Sequence, residues 1–156
     1  MKSRQVIGLD FGTTNSAIAL AQPMEEAVLA RFRDGTRSTT SFRSVLYFPV
    51  NEPGPGRKTA KAVTGPEAIN AYLESESKGR LIISIKSYLA SLQFISTSIN
   101  GRSYGLEELI AIILRNLRNA AIEQFNFPVT KAVLGRPVHF AGAEDELLSS
   151  CHMLPC

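Results

Sequence analysis

The stretch Val6-Ile7-Gly8-Leu9-Asp10-Phe11-Gly12-Thr13-Thr14-Asn15-Ser16-Ala17-Ile18-Ala19-Leu20-Ala21 decides the fold. Two apolar runs flank a short turn of glycine, two threonines and an asparagine, the pattern of a β-hairpin. The first run reads as a buried strand that delivers Asp10 near its end. A carboxylate is costly to bury without a partner, and a bound cation with its waters would supply one. Gly12 has no side chain and lets the turn backbone come close to a ligand. Thr13, Thr14 and Asn15 offer successive amides and two hydroxyls; successive amides in a turn form an anion-binding concavity. The set suits the phosphate tail of a magnesium nucleotide, because Mg2+ keeps its waters and takes one or two carboxylates. From spacing alone a second reading stands beside this one, an ordinary hairpin turn, since Asx and Ser/Thr turns are common.

Outward from the hairpin, Glu26 to Phe32 reads as a third strand and Val45 to Phe48, stopped by Pro49, as a fourth. Asn51 to Gly56 is a loop by composition, and Lys58 to Val63 reads as one more short strand. Pro66 opens a helix expected to run to about Glu74, with Glu67 in its first turn. Leu81 to Leu92 reads as a helix, and Phe94 to Ile99 as a strand before the Asn100-Gly101 turn. The clearest element is a helix from Leu106 to Gln124. Leu106, Leu109, Ile110, Ile113, Leu114, Leu117 and Ala121 recur on one face, which predicts a core stripe rather than a partner surface. Val129 to Phe140 reads as a strand and Ala141 to Leu148 as the start of a helix. Strands followed by alternating helices and strands predict an α/β fold, a mixed sheet flanked by helices, forming half of a two-lobed architecture.

The chain has 156 residues, enough to close a core, with 44% hydrophobic and 20% charged residues. That composition excludes disorder as the main state. No run of eighteen apolar residues is present, so no membrane span is expected, and Met1 to Gln5 carries no signal-peptide pattern. The net charge of +3 reads as a solvated surface. Arg31 to Lys61 holds seven basic and two acidic residues, without the aromatic or zinc-finger spacing that would argue for nucleic acid. Both cysteines, Cys151 and Cys156, lie in the last six residues, which excludes a disulfide framework and fits a reducing cytosol. With His152 they match no zinc spacing, and His139 reads as a packed side chain.

Ile7 to Ser16 resembles the first phosphate loop of the actin-fold ATPases, and in detail that of the DnaK-type heat-shock chaperones. Sugar kinases of the superfamily carry a similar loop; Thr13-Thr14-Asn15-Ser16 favours the chaperone branch. Thr64 to Ala68, Ile85 to Leu89 and Thr130 to Phe140 resemble later family segments in the right order. Gly135-Arg136-Pro137, and Phe94 to Ser98 before a Leu-Glu-Glu-Leu helix, look closest to the YegD-like members. The resemblance implies an actin-like, ribonuclease H-like fold that binds ATP and Mg2+. Asp10 would hold magnesium through water. Gly12, Thr13, Thr14 and Asn15 would bind phosphates, and Lys86 would reach the γ-phosphate and the attacking water. Pro137 falls where the family has a proline linked to interdomain signalling, and a plain strand-end proline is the other reading.

The resemblance runs to about Leu148, giving an expected division into an amino-terminal portion of a nucleotide-binding domain, 1–148, and an unmatched, disordered tail, 149–156. A second phosphate loop, the adenosine-binding glycines and a substrate-binding domain find no counterpart in this sequence. The expectation is therefore a truncated or frameshifted, cytoplasmic chaperone-type ATPase portion, which meets client proteins only through parts not included here. Two alternatives stand: a non-enzymatic fragment, or part of an actin-fold sugar kinase. By itself the chain is expected to hydrolyse ATP poorly, since phosphoryl transfer depends on positioning by both lobes.

Overall fold

A computed structural model describes residues 5–50, 61–90, 94–126 and 128–135. Strands β1 (Val6–Phe11) and β2 (Asn15–Ala21) form the expected antiparallel hairpin. The two-residue period of a strand sorts their side chains. Ile7 and Phe11 of β1, and Ser16, Ile18 and Leu20 of β2, are buried, with Leu9 partly buried against the same core. Gly8 and Asp10 alternate with them, and Asp10 is exposed. This corrects the reading of Asp10 as a carboxylate buried at the end of the strand. Asp10 needs no cation to offset its burial, because the pleat turns it away from the core.

The expected strand from Glu26 to Phe32 is instead two, β3 (Val28–Leu29) and β4 (Phe32–Asp34). The chain leaves the sheet where Ala30 N–H donates to the Ile18 carbonyl at 2.8 Å. The Gln124 side chain then takes the place of a neighbouring strand. Its Oε1 accepts the Arg31 N–H at 2.7 Å, and its Nε2 donates to the Arg31 carbonyl at 2.6 Å. β4 returns as β5 (Arg37–Thr39) around Gly35, whose φ is 59°. β6 (Phe42–Arg43) pairs with the start of β2, and β7 (Leu46–Phe48) is buried throughout. β8 (Val63–Thr64) pairs with β7; the rest of the strand expected from Lys58, and the loop before it, lie outside the described residues up to position 60.

Helix α1 (Pro66–Glu74) has the expected bounds, with Pro66 in its first turn. The helix expected from Leu81 to Leu92 is not formed. β9 (Arg80–Ile82) pairs with the free edge of β7, after which Ser84 turns at φ 54° into a 3-10 helix, Ile85–Ala90. Ile82-Ile83 favours strand over helix through its β-branched side chains, and β7 offers it a ladder. β10 (Thr97–Ile99) and β11 (Arg102–Tyr104) form a hairpin shorter than the expected strand from Phe94. Asn100 and Gly101, at φ 52° and 79°, supply the two positive-φ residues of a type I′ turn.

Helix α2 (Leu106–Phe125) buries Leu109, Ile113, Leu117 and Ala121, as its periodicity predicts. These residues pack in one cluster with Ile7, Phe11, Ile18 and Leu20. Each fully buried Leu or Ile contributes about 1.5–3 kcal/mol. Asn126 ends the helix in the left-handed conformation. β12 (Ala132–Gly135) then pairs in parallel with β1 at the sheet edge, so the sheet order is β12-β1-β2-β3, with β6 also on β2. The sheet is mixed, as expected. The expected strand residues beyond Gly135, with Pro137 and His139, lie outside the described residues, as do the helix from Ala141 and the tail with Cys151, His152 and Cys156.

The N-terminus of α2 is held by Glu108. Its Oε2 accepts the Gly105 N–H at 3.0 Å, and its Oε1 accepts from Arg102 at 2.9 Å. The Gly105 bond first, then the Arg102 bond, holds the Glu108 carboxyl below its ordinary value of 4.5. A carboxyl depressed in the folded state stabilises above its unfolded pKa and loses that contribution as pH falls through the folded value. The protection factors of the Gly105 and Leu109 amides, which are bonded at the start of α2, are therefore expected to fall as pH drops below about 4.5. Glu108→Gln should remove that pH dependence; a pH profile unchanged by the substitution would contradict this origin.

Candidate functional site

The end of β1 brings together Asp10, Gly12, Thr13, Thr14, Asn15 and Lys86. The hairpin register ends at the Phe11–Ser16 pair, leaving Gly12, Thr13, Thr14 and Asn15 as its tip. Thr13, Thr14 and Asn15 are exposed. Gly12 is required by space: a Cβ at this position would lie 2.0 Å from the Asn15 carbonyl oxygen, a backbone atom that no rotamer change can move. Asp10 faces the opposite side of the sheet from the core and aligns with Gly135 of β12. A Cβ on Gly135 would stand 3.9 Å from Asp10 Oδ1, an ordinary contact distance.

Lys86 arrives from the 3-10 helix, 75 residues downstream of Phe11. Its Nζ donates to the Phe11 carbonyl and lies 5.7 Å from the centre of the Phe11 ring. The ammonium is half-buried there, held by a carbonyl and by the negative face of an aromatic ring. The backbone atom it grips lies between Asp10 and Gly12. The cation thus comes from a distant segment and meets the carboxylate and the turn of the hairpin at one strand end. Among the described residues no group of three His, Cys, Asp or Glu side chains assembles. A lone exposed carboxylate beside polar turn residues fits Mg2+, which retains most of its waters, and does not fit a cage-bound metal.

Two residues packed against the tip escape a reading of the sequence. Ser16 is 2% exposed and Ser44 fully buried. Ser16 Oγ accepts the Gly12 N–H at 3.2 Å, the two hydroxyls are 2.9 Å apart, and Ser44 Oγ donates to the Gly12 carbonyl at 2.8 Å. The Ser44 N–H also donates to the Thr14 carbonyl at 2.9 Å. Ser16 carries a local signal, a hydroxyl on the inward beat of an apolar strand. Ser44 carries none, because only the pairing of β6 with β2 brings it under the loop.

A protein-family model described as "Hsp70 protein" matches residues 6–147. The chain belongs to the Hsp70 family. Membership carries the actin-like ATPase fold, with which the mixed sheet agrees, and with it nucleotide binding and the chaperone class. The match takes in the Hsp70 hairpin, its tip, Lys86 and the α2 core stripe. Among the described residues no helix is long and apolar enough to cross a membrane.

Gly12→Ala is expected to destabilise the folded chain by about 1–3 kcal/mol, the usual cost of forcing an extra carbon into filled space. Chemical denaturation measures it, and a stability equal to the parent would show that the tip has room to move.

Proposed function

We propose that this Hsp70-family chain supplies the first phosphate loop, the magnesium carboxylate and the catalytic lysine of a chaperone ATPase. The observation that carries the reading is Lys86 held on the Phe11 carbonyl, next in the chain to both Asp10 and Gly12. A cation this close to an anion-binding turn has a use if phosphate charge develops there. In this reading the turn Gly12–Asn15 receives the phosphates of ATP, Gly12 by letting the backbone come close and Thr13 to Asn15 through their amides and the two threonine hydroxyls. Asp10 accepts hydrogen bonds from metal-bound water and so fixes the position of Mg2+. The metal, when bound, neutralises phosphate charge. Lys86 releases the Phe11 carbonyl, approaches the γ-phosphate, and orients the attacking water. A compact ammonium positioned in advance stabilises the negative charge that builds on the phosphoryl oxygens.

Gly135-Arg136-Pro137 and the segment before α2 support placing the chain near the YegD-like members. A cytoplasmic setting, and action on unfolded client proteins, follow from the same reading; the residues named here serve the nucleotide and not the client.

Calorimetric titration of the chain with ATP tests the ligand assignment. Asp10→Asn and Thr13→Val should each weaken binding roughly tenfold in magnesium, equivalent to about 1.4 kcal/mol. In EDTA, Asp10→Asn should match the parent. Unchanged affinity in magnesium overturns the site. For Lys86, an Hsp70 relative carrying residues 6–147 of this chain allows single-turnover hydrolysis to be measured. Lys86→Ala is expected to slow that step by about 100-fold or more with affinity little altered, since a contact made mainly in the transition state acts on the chemical step. Hydrolysis at the parent rate would make Lys86 a structural cation.

A further inference from the structure

Both polar backbone groups of Gly12 are consumed by two buried serines. We propose that Ser16 and Ser44 are positioning residues, which hold the tip Gly12–Asn15 in its ligand-ready shape and thereby set its affinity for nucleotide phosphate. The inference rests on the reading of that tip as a phosphate site.

The proton count fixes the direction of the circuit. A serine hydroxyl has one proton to give and two lone pairs to accept with. The Gly12 carbonyl can only accept, so the Ser44 proton is spent on it, at 2.8 Å. Ser16 Oγ already accepts the Gly12 N–H at 3.2 Å. Its own proton then goes to Ser44 Oγ, 2.9 Å away. The circuit leaves Gly12 through its amide, passes through two hydroxyls, and returns to the Gly12 carbonyl, with each donor used once. The Ser44 N–H closes a second tie, to the Thr14 carbonyl at 2.9 Å.

Burial makes these bonds expensive to lose. Ser16 is 2% exposed and Ser44 fully buried, so water cannot replace either hydroxyl. An alanine would fill much of the same space without any polar group to satisfy. Two hydroxyls kept on the inner side of the hairpin tip, with both their protons spent on this circuit, are explained by what they hold. Gly12 is free of side-chain constraint, and an untied glycine samples many conformations. With its amide, its carbonyl and the Thr14 carbonyl all fixed, the peptide units between them are ordered before ligand arrives. Binding then does not have to order the turn, and that lowers its entropic cost. The Gly12 N–H itself points to Ser16, so in this arrangement Gly12 serves by its missing Cβ, and the donors left for phosphate belong to the residues after it.

Amide exchange and calorimetry together test the proposal. In the unsubstituted chain the Gly12 N–H should be protected from exchange. Ser16→Ala should expose it, Ser44→Ala should release the Gly12 carbonyl, and each should raise the Kd for Mg-ATP roughly tenfold, the worth of one well-placed hydrogen bond. The double variant should cost about as much as either single one, because the circuit acts as a unit. Ile113→Val, a core change on α2 outside the circuit, should lower stability and leave the Kd at the parent value. A Gly12 amide that exchanges without protection overturns the proposal. So do serine variants that bind Mg-ATP within twofold of the parent. Ser16→Ala leaves the Ser44 bond to Gly12 in place and decides the matter if Ser44→Ala does not fold. Failure of the unsubstituted chain to bind Mg-ATP overturns the functional reading itself, whereas parent binding with unaffected serine variants overturns only the positioning role.

Discussion

The pairing of β1 with β2 is the constraint on which the rest of the molecule depends. Its register sets Ile7 against Leu20, Leu9 against Ile18 and Phe11 against Ser16. That register creates the one apolar face against which α2 lays Leu109, Ile113 and Leu117. A slip of one residue would turn every one of these side chains to the opposite face. The same pleat decides the chemistry, because the residue between Leu9 and Phe11 must then point away from the core. Asp10 is available to solvent and ligand for the reason that Phe11 is buried.

The site is assembled by three long-range closures onto that hairpin. β12 reaches β1 in parallel, which requires a long crossover, and the chain from β2 to α2 provides it. The 3-10 helix brings Lys86 to the Phe11 carbonyl. β6 brings Ser44 beneath Gly12. β12 pairs with residues 7 to 10, and the other two closures end on backbone atoms of residues 11 to 14, so the loop is shaped by main-chain geometry and tolerates little change in path. Gly12 is the clearest instance, with no space for even one added carbon.

Elements with strong local rules were legible from residues alone. The α2 stripe repeats over about four turns, Pro66 marks a helix start, and Asn100-Gly101 specifies a tight hairpin, and all three elements form where expected. The segment from Leu81 misleads because its apolar run satisfies a helix and a strand equally. The free edge of β7 decided for the strand. The strand from Glu26 was read as continuous because nothing nearby announces that a glutamine 93 residues away will pair with Arg31.

The sequence by itself determined the hairpin, the helix faces and the residues of the hairpin tip, because these depend on side-chain periods of two to four residues and on turn chemistry. Its family resemblance reached Lys86 as well. Only the tertiary structure decided that Lys86 rests on Phe11, that Asp10 lies on the open face, and that Ser44 supports Gly12. Those facts depend on contacts across 32 and 75 residues, and on which face of a strand the core happens to claim. No local propensity encodes such contacts; they exist once the whole chain has packed.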